Sequence, residues 1–67
     1  MKIRVNGKER EVAEACSLLD LLEQLGVEPG RGVAVERNKE IVPRERYQVV
    51  VLEDGDELEI VTLVGGG

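Results

Sequence analysis

Glu57-Leu58-Glu59-Ile60-Val61-Thr62-Leu63-Val64-Gly65-Gly66-Gly67 closes the chain, and its reading decides the fold. Glu57–Val64 alternates with a period of two, which predicts a strand. Leu58, Ile60 and Thr62 share one face, while Val61 and Leu63 point the other way. Three consecutive glycines then follow, and a packed core has no use for them. Each loses more backbone entropy on ordering than any other residue and brings no side chain to bury. A frayed end or an expression remnant is the plainer explanation, yet a remnant would bring serines, a linker or a tag, and none is present. What Gly65-Gly66-Gly67 does well is reach. Three extended residues span roughly 10 Å, and without Cβ atoms they fit a narrow channel. The expectation is a folded platform over 1–64 that presents 65–67 as a flexible tail, with the Gly67 carboxylate delivered into another protein's active site.

Working outward, Asp54-Gly55-Asp56 is the turn that starts this strand, its acids read as solvated turn formers. At the other end of the chain, Lys2-Ile3-Arg4-Val5-Asn6 alternates again, with Ile3 and Val5 on one face. Asn6-Gly7 is a strong hairpin signal, because both central positions of a type I′ turn need positive φ. The return strand runs about Glu9–Ala13, with Val12 facing inward. Ser17 then caps a helix, with Asp20 placed for a capping box. Leu18, Leu21, Leu22 and Leu25 fall on one helical face and Leu19 on its flank. Gly26 suits the left-handed position past the helix end, and Pro29 blocks continuation.

Val33-Ala34-Val35-Glu36 reads as a third strand, Asn38-Lys39 as a turn and Glu40-Ile41-Val42 as a short strand stopped by Pro43. Pro43–Tyr47 suits a single helical turn with Pro at its first position, and Val49–Leu52 a covered extended connection. Hairpin, helix, strand, short strand, helical turn and final strand fit an α+β roll. One main helix crosses a mixed sheet of four to five strands, and the last strand can lie in the centre beside the first. That arrangement is the β-grasp, or ubiquitin-like, fold. The expected core sets the four helix leucines against Ile3, Val5, Val33, Val35, Leu58 and Ile60.

Composition narrows the function. The 67 residues suffice for one domain, and 14 acids against 9 bases give a net charge of −5. Nucleic acid demands the opposite balance, whereas a basic protein surface suits it. The longest apolar run, Val49–Leu52, is far too short to span a membrane, and no secretory leader is read. The lone Cys16 cannot pair internally, which points to a reducing, cytoplasmic setting. There is no His, so no Ser-His or Cys-His nucleophile pair is available. Asp54 and Asp56 flank a turn glycine and are not read as a metal site; no metal is expected. Cys16, without a nearby Cys or His, is read as a small buried residue ahead of the helix rather than a redox thiol. Arg44 and Arg46 are expected to pair with local carboxylates, and Tyr47 to cover the small core. Val61 and Leu63, beside Glu57 and Glu59 and turned away from the core, form the expected partner-docking face.

The blocks Asn38-Lys39-Glu40-Ile41-Val42-Pro43-Arg44, Asp54-Gly55-Asp56 and Val64-Gly65-Gly66-Gly67 resemble the sulfur-carrier proteins of thiamin thiazole biosynthesis, over the whole chain. Tyr47 stands where that family often has Trp, and Cys16 where a small residue such as Gly is common. The resemblance implies that an E1-like adenylyltransferase, using ATP and Mg, adenylates the Gly67 carboxylate. A persulfide donor then leaves a thiocarboxylate, and thiazole synthase accepts the sulfur. It implies no cofactor bound to the carrier, no catalysis by it, and a monomer when alone. Phosphate handling falls to the partner, since this chain has no phosphate-cradling loop with its Lys. Two other readings stay open here. Related carriers serve molybdopterin, tRNA thiolation or cysteine synthesis, and a ubiquitin-like adaptor would not need its carboxylate free.

Overall fold

A computed structural model describes residues 1–30 and 32–63. Five strands form one mixed sheet in the order β2-β1-β5-β3-β4. They are β1 (Lys2–Val5), β2 (Lys8–Glu11), β3 (Val33–Arg37), β4 (Glu40–Ile41) and β5 (Glu57–Thr62), with a single α-helix, α1 (Leu18–Gln24), between β2 and β3. β5 lies in the centre, parallel to β1 and antiparallel to β3. The expected β-grasp is therefore the observed architecture, with five strands.

Both tight hairpins use left-handed residue pairs at their tips. Asn6 and Gly7 have φ of 51° and 82°, and Asn38 and Lys39 have 51° and 70°. These pairs match the twist of the strands they join. The two asparagines also do something that turn chemistry alone does not require. β1 turns away at Asn6, so its side-chain amide continues the ladder: Ile60 N–H donates to Asn6 Oδ1 at 2.8 Å, and Asn6 Nδ2 donates to Ile60 C=O at 3.2 Å. Asn38 acts from the other side, where its Oδ1 accepts from Glu57 N–H at 2.9 Å and its own N–H donates to Glu57 C=O at 2.7 Å. Each hairpin thus clasps the central strand.

α1 begins with a complete capping box between Ser17 and Asp20. It ends in a Schellman motif: Val27 N–H donates to Leu22 C=O, Gly26 N–H donates to Glu23 C=O, and Gly26 has φ of 73°. Leu18, Leu21 and Leu22 are fully buried in one cluster with Ile3, Val12, Cys16, Val35, Tyr47, Leu52, Leu58 and Ile60. Each buried leucine contributes about 1.5–3 kcal/mol. Leu25, Val5 and Val33, expected inside, are only half-buried and pack against the cluster's edge. Leu25 is the helix C-cap, just past the last residue of α1.

Three other expectations change. Pro43 sits one position earlier than its expected place, as the extended cap (φ −62°, ψ 145°) of a 3₁₀ turn over Arg44–Arg46. Only half of the Val49–Leu52 connection is covered. Leu52 is buried and Val50 half-buried, while Val49 and Val51 face solvent. Val50–Leu52 pairs in extended form beside Cys16–Leu18, which turns Val51 outward, whereas Val49 still belongs to the preceding turn, its N–H donating to Arg46 C=O. Among the described residues the ion pairs are both made by Arg37, to Glu53 and Asp56, and not by Arg44 or Arg46. No helix of the described residues is long and apolar enough to cross a membrane.

Candidate functional site

The sheet has one covered and one open face, and the pleat of β5 assigns its residues to them. Leu58 and Ile60 point into the core, leaving Glu57, Glu59 and Val61 on the open side. Register places Ala34 of β3 opposite Val61, and Ile41 of β4 opposite Glu36. The result is a shallow groove lined by Ala34, Ile41 and Val61, with Arg4, Lys39, Glu36, Glu57 and Glu59 around it. Val61 is 54% exposed, Ile41 67% and Leu63 74%. The expected docking residues Val61 and Leu63 are therefore exposed. Sequence reading missed Ile41 and Ala34, because their face depends on register across strands rather than on periodicity within one.

Glu36 and Glu59 stand directly opposite each other on this face. Like charges at such a pair destabilise a sheet. The open side thus carries an unfavourable juxtaposition of acids that a basic partner would relieve. Arg4 is flanked in register by Glu9 and Glu57, so its charge is balanced locally.

β5 is the element that precedes the glycine segment in the chain. Its last register pair is Thr62 with Val33, and Leu63 N–H then donates to Gly32 C=O at 2.6 Å. Gly65, Gly66 and Gly67, the residues expected to do the chemistry, lie outside the described residues.

The remaining candidates are structural. Cys16 is 5% exposed, and its Sγ donates to Ser17 C=O at 3.4 Å. Burial pushes its thiol up, and the Asp20 charge pushes the same way, so the thiolate needed for sulfur or redox chemistry is disfavoured. Asp56 corrects the expectation of a solvated turn acid, being 5% exposed. Its Oδ2 accepts from Glu53 N–H (2.8 Å) and Arg37 Nε (2.9 Å), and its Oδ1 from Asn38 Nδ2 (3.0 Å). Burial alone would raise this carboxyl, but the Glu53 N–H, the Asn38 amide and the Arg37 guanidinium outweigh it and hold it below the ordinary value. Asp54 stays exposed and accepts from Lys2 N–H at 2.8 Å. Among the described residues no group of three Cys, Asp or Glu side chains is placed to hold a metal ion.

A β-grasp platform whose central strand leads from an open, acid-rimmed apolar face into a run of glycines belongs to the class of ubiquitin-like carriers. The family model of ThiS matches residues 3–67, glycines included. The chain belongs to the ThiS family, the sulfur carrier proteins of thiamine thiazole biosynthesis. It is 44% identical over 66 residues to the sulfur carrier protein ThiS of Bacillus subtilis, covering 97% of this chain and 98% of that one. The crystal structure of the thiamine biosynthesis protein ThiS from Geobacter metallireducens superposes with a TM-score of 0.82 at 38% identity, covering 100% of both chains. A thiazole synthase of Paramagnetospirillum magneticum is 51% identical over 67 residues, which is all of this chain but 20% of that enzyme. The chain thus spans a fifth of the length of that relative.

Proposed function

We propose that this chain carries sulfur for the thiazole ring of thiamin as a thiocarboxylate on Gly67. A free carboxylate is anionic and a poor acceptor for a nucleophile, so one oxygen must first become a leaving group. An E1-like adenylyltransferase supplies it: the carboxylate attacks the α-phosphate of ATP, with Mg held by the enzyme, and pyrophosphate departs. A persulfide sulfur then attacks the acyl carbon and expels AMP. Reductive cleavage of the resulting acyl disulfide by a thiol leaves the thiocarboxylate, which thiazole synthase consumes. The observation that carries this reading is the family match running through the glycines, on a chain whose central strand precedes them in sequence.

Residues 1–64 serve as the platform and 65–67 as the finger. The partner docks on the open sheet face, around Val61 and Leu63 with Ile41 beside them, while Glu36, Glu57 and Glu59 steer it. That a thiazole synthase contains a segment so similar supports thiazole synthase as the acceptor. A cytoplasmic setting supplies the ATP and keeps Cys16 reduced.

The test is intact-mass spectrometry after incubation with an activating enzyme, ATP, Mg and a persulfide donor. The protein should gain one oxygen-to-sulfur exchange, placed on Gly67 by fragmentation. Sulfur found on Cys16, or conversion without ATP, would count against the mechanism.

A further inference from the structure

The handover from β5 to the glycine segment is constrained by a residue 31 positions upstream of Leu63. Gly32 has φ of +81°, in the left-handed region, and its carbonyl accepts the Leu63 N–H. A Cβ on Gly32 would stand 3.0 Å from Leu63 O and 3.3 Å from Leu63 Cβ. Neither atom is the far end of a flexible side chain, so Leu63 could clear the methyl only by moving its backbone. Gly7, Gly26 and Gly55 share the left-handed φ (+82°, +73° and +86°), but each has open space where a Cβ would go. Among the described glycines of positive φ, only Gly32 combines the conformation with a close approach.

We propose that Gly32 is a positioning residue for the carrier chemistry. By letting the backbone of Leu63 lie against its own, it sets the direction in which the chain leaves the sheet, and hence where the Gly67 carbonyl carbon arrives. The proposal rests on the sulfur-carrier reading above. Four residues lie beyond Leu63, an extended reach of at most about 14 Å. So short a segment starts from wherever Leu63 lies, and a shift of Leu63 moves its starting point. Misplacement of ~1 Å can cost as much as ~100-fold in positioning-dependent chemistry. A partner that grips the glycines would recover part of that, leaving a loss of about tenfold. Leu63 also belongs to the proposed docking face, so the positioning role is read in kcat at saturating carrier, where a change in docking no longer counts.

The experiment compares Gly32→Ala with Gly55→Ala, which carries the same backbone strain without the contact. Hydrogen exchange at the Leu63 amide is monitored by NMR. Thiocarboxylate formation is monitored by intact mass over a range of carrier concentrations, with activating enzyme, ATP, Mg and persulfide donor. Gly55→Ala should convert within about twofold of wild type. Gly32→Ala should exchange the Leu63 amide about tenfold faster and lose about tenfold in kcat at saturating carrier, whatever happens to KM. Should Gly32→Ala fail to fold, a leucic acid ester at position 63 deletes the N–H donated to Gly32 without adding a side chain, and the same kcat loss is expected. Equal kcat for the two alanine variants, a loss confined to KM, or an ester with unchanged kcat would each overturn the role of Gly32. A wild-type protein that gains no sulfur would instead overturn the carrier reading beneath it.

Discussion

At its Glu57 end, β5 is gripped by a network; at its Leu63 end, one backbone hydrogen bond to Gly32 closes the described contacts. The first end gathers the buried Asp56 carboxylate, the Arg37 guanidinium and both the side chain and backbone of Asn38. Arg4 N–H adds a bond to Asp56 C=O at 2.9 Å, and Gly55 N–H one to Lys2 C=O at 2.8 Å. At the other end, the described residues contribute the Val33–Thr62 pair and the Leu63–Gly32 bond. A strand fixed at its start by buried side chains, and joined at Leu63 through backbone alone among the described contacts, can present the glycines without loosening the core. Stability and delivery are thereby placed at opposite ends of one element.

The sharpest way to break that comparison is to alter the glycines alone. Gly66→Val would widen and stiffen the finger, and deleting Gly67 would withdraw the carboxylate by about 3.5 Å. Both variants should melt like wild type, because no core residue is changed, and both should give no thiocarboxylate by mass spectrometry. A large drop in melting temperature for either would show that the glycines also serve the fold.

At the opposite end, Asp56→Ala removes the acceptor for three donors and leaves the half-buried Arg37 short of its closest partner. The expected cost is about 2–3 kcal/mol by urea denaturation, with sulfur transfer by the folded fraction unchanged. The pH dependence has a definite sign. Because the folded carboxyl is held below its ordinary value, its stabilisation is complete above the unfolded pKa of about 4. It is lost as pH falls through the lower folded value, since the unfolded state then binds more protons. Asp56→Asn should flatten this acid limb. An unchanged limb would mean that other carboxylates dominate it.

How much of each end was legible in the sequence depends on the range of its interactions. The Asn6-Gly7 hairpin, the Ser17–Asp20 capping box and the Gly26 helix stop are written within a few residues and could be read directly. So could the alternation of β5, which assigns Leu58 and Ile60 inward and Val61 outward. Asp56 could not, because its partners Asn38 and Arg37 lie 18 and 19 residues away. An Asp-Gly-Asp turn looks the same whether its second acid is solvated or buried. Asn6 and Asn38 were readable as turn residues but not as clasps, since that role needs the neighbouring strand. The outward side of Ile41 likewise exists only once β4 is in register with β3, and the approach of Gly32 to Leu63 only once β3 is in register with β5. The three glycines drew attention by composition alone, and the resemblance to sulfur carriers gave them a task.

The smallest expected effect separates docking from anchoring on β5 itself. Leu63 is 74% exposed, so replacing it removes little that the folded protein buries. Leu63→Asp keeps the backbone N–H that reaches Gly32 and adds charge to a face that already carries Glu57 and Glu59. Two effects on the partner then oppose each other. The lost apolar contact weakens binding by about 1.5–3 kcal/mol if Leu63 is fully covered in the complex. The added carboxylate strengthens long-range attraction to a basic surface, but mostly through the association rate and only at low salt. At physiological ionic strength the contact term should win, giving roughly tenfold weaker binding, or about 1.4 kcal/mol, with the melting temperature unchanged. Titration calorimetry with the activating enzyme at two salt concentrations reads both terms. Weaker binding at high salt that partly recovers at low salt would place Leu63 inside the docked face. Affinity indifferent to the substitution at both would remove this end of the strand from the interface and leave the glycines to find the active site unaided.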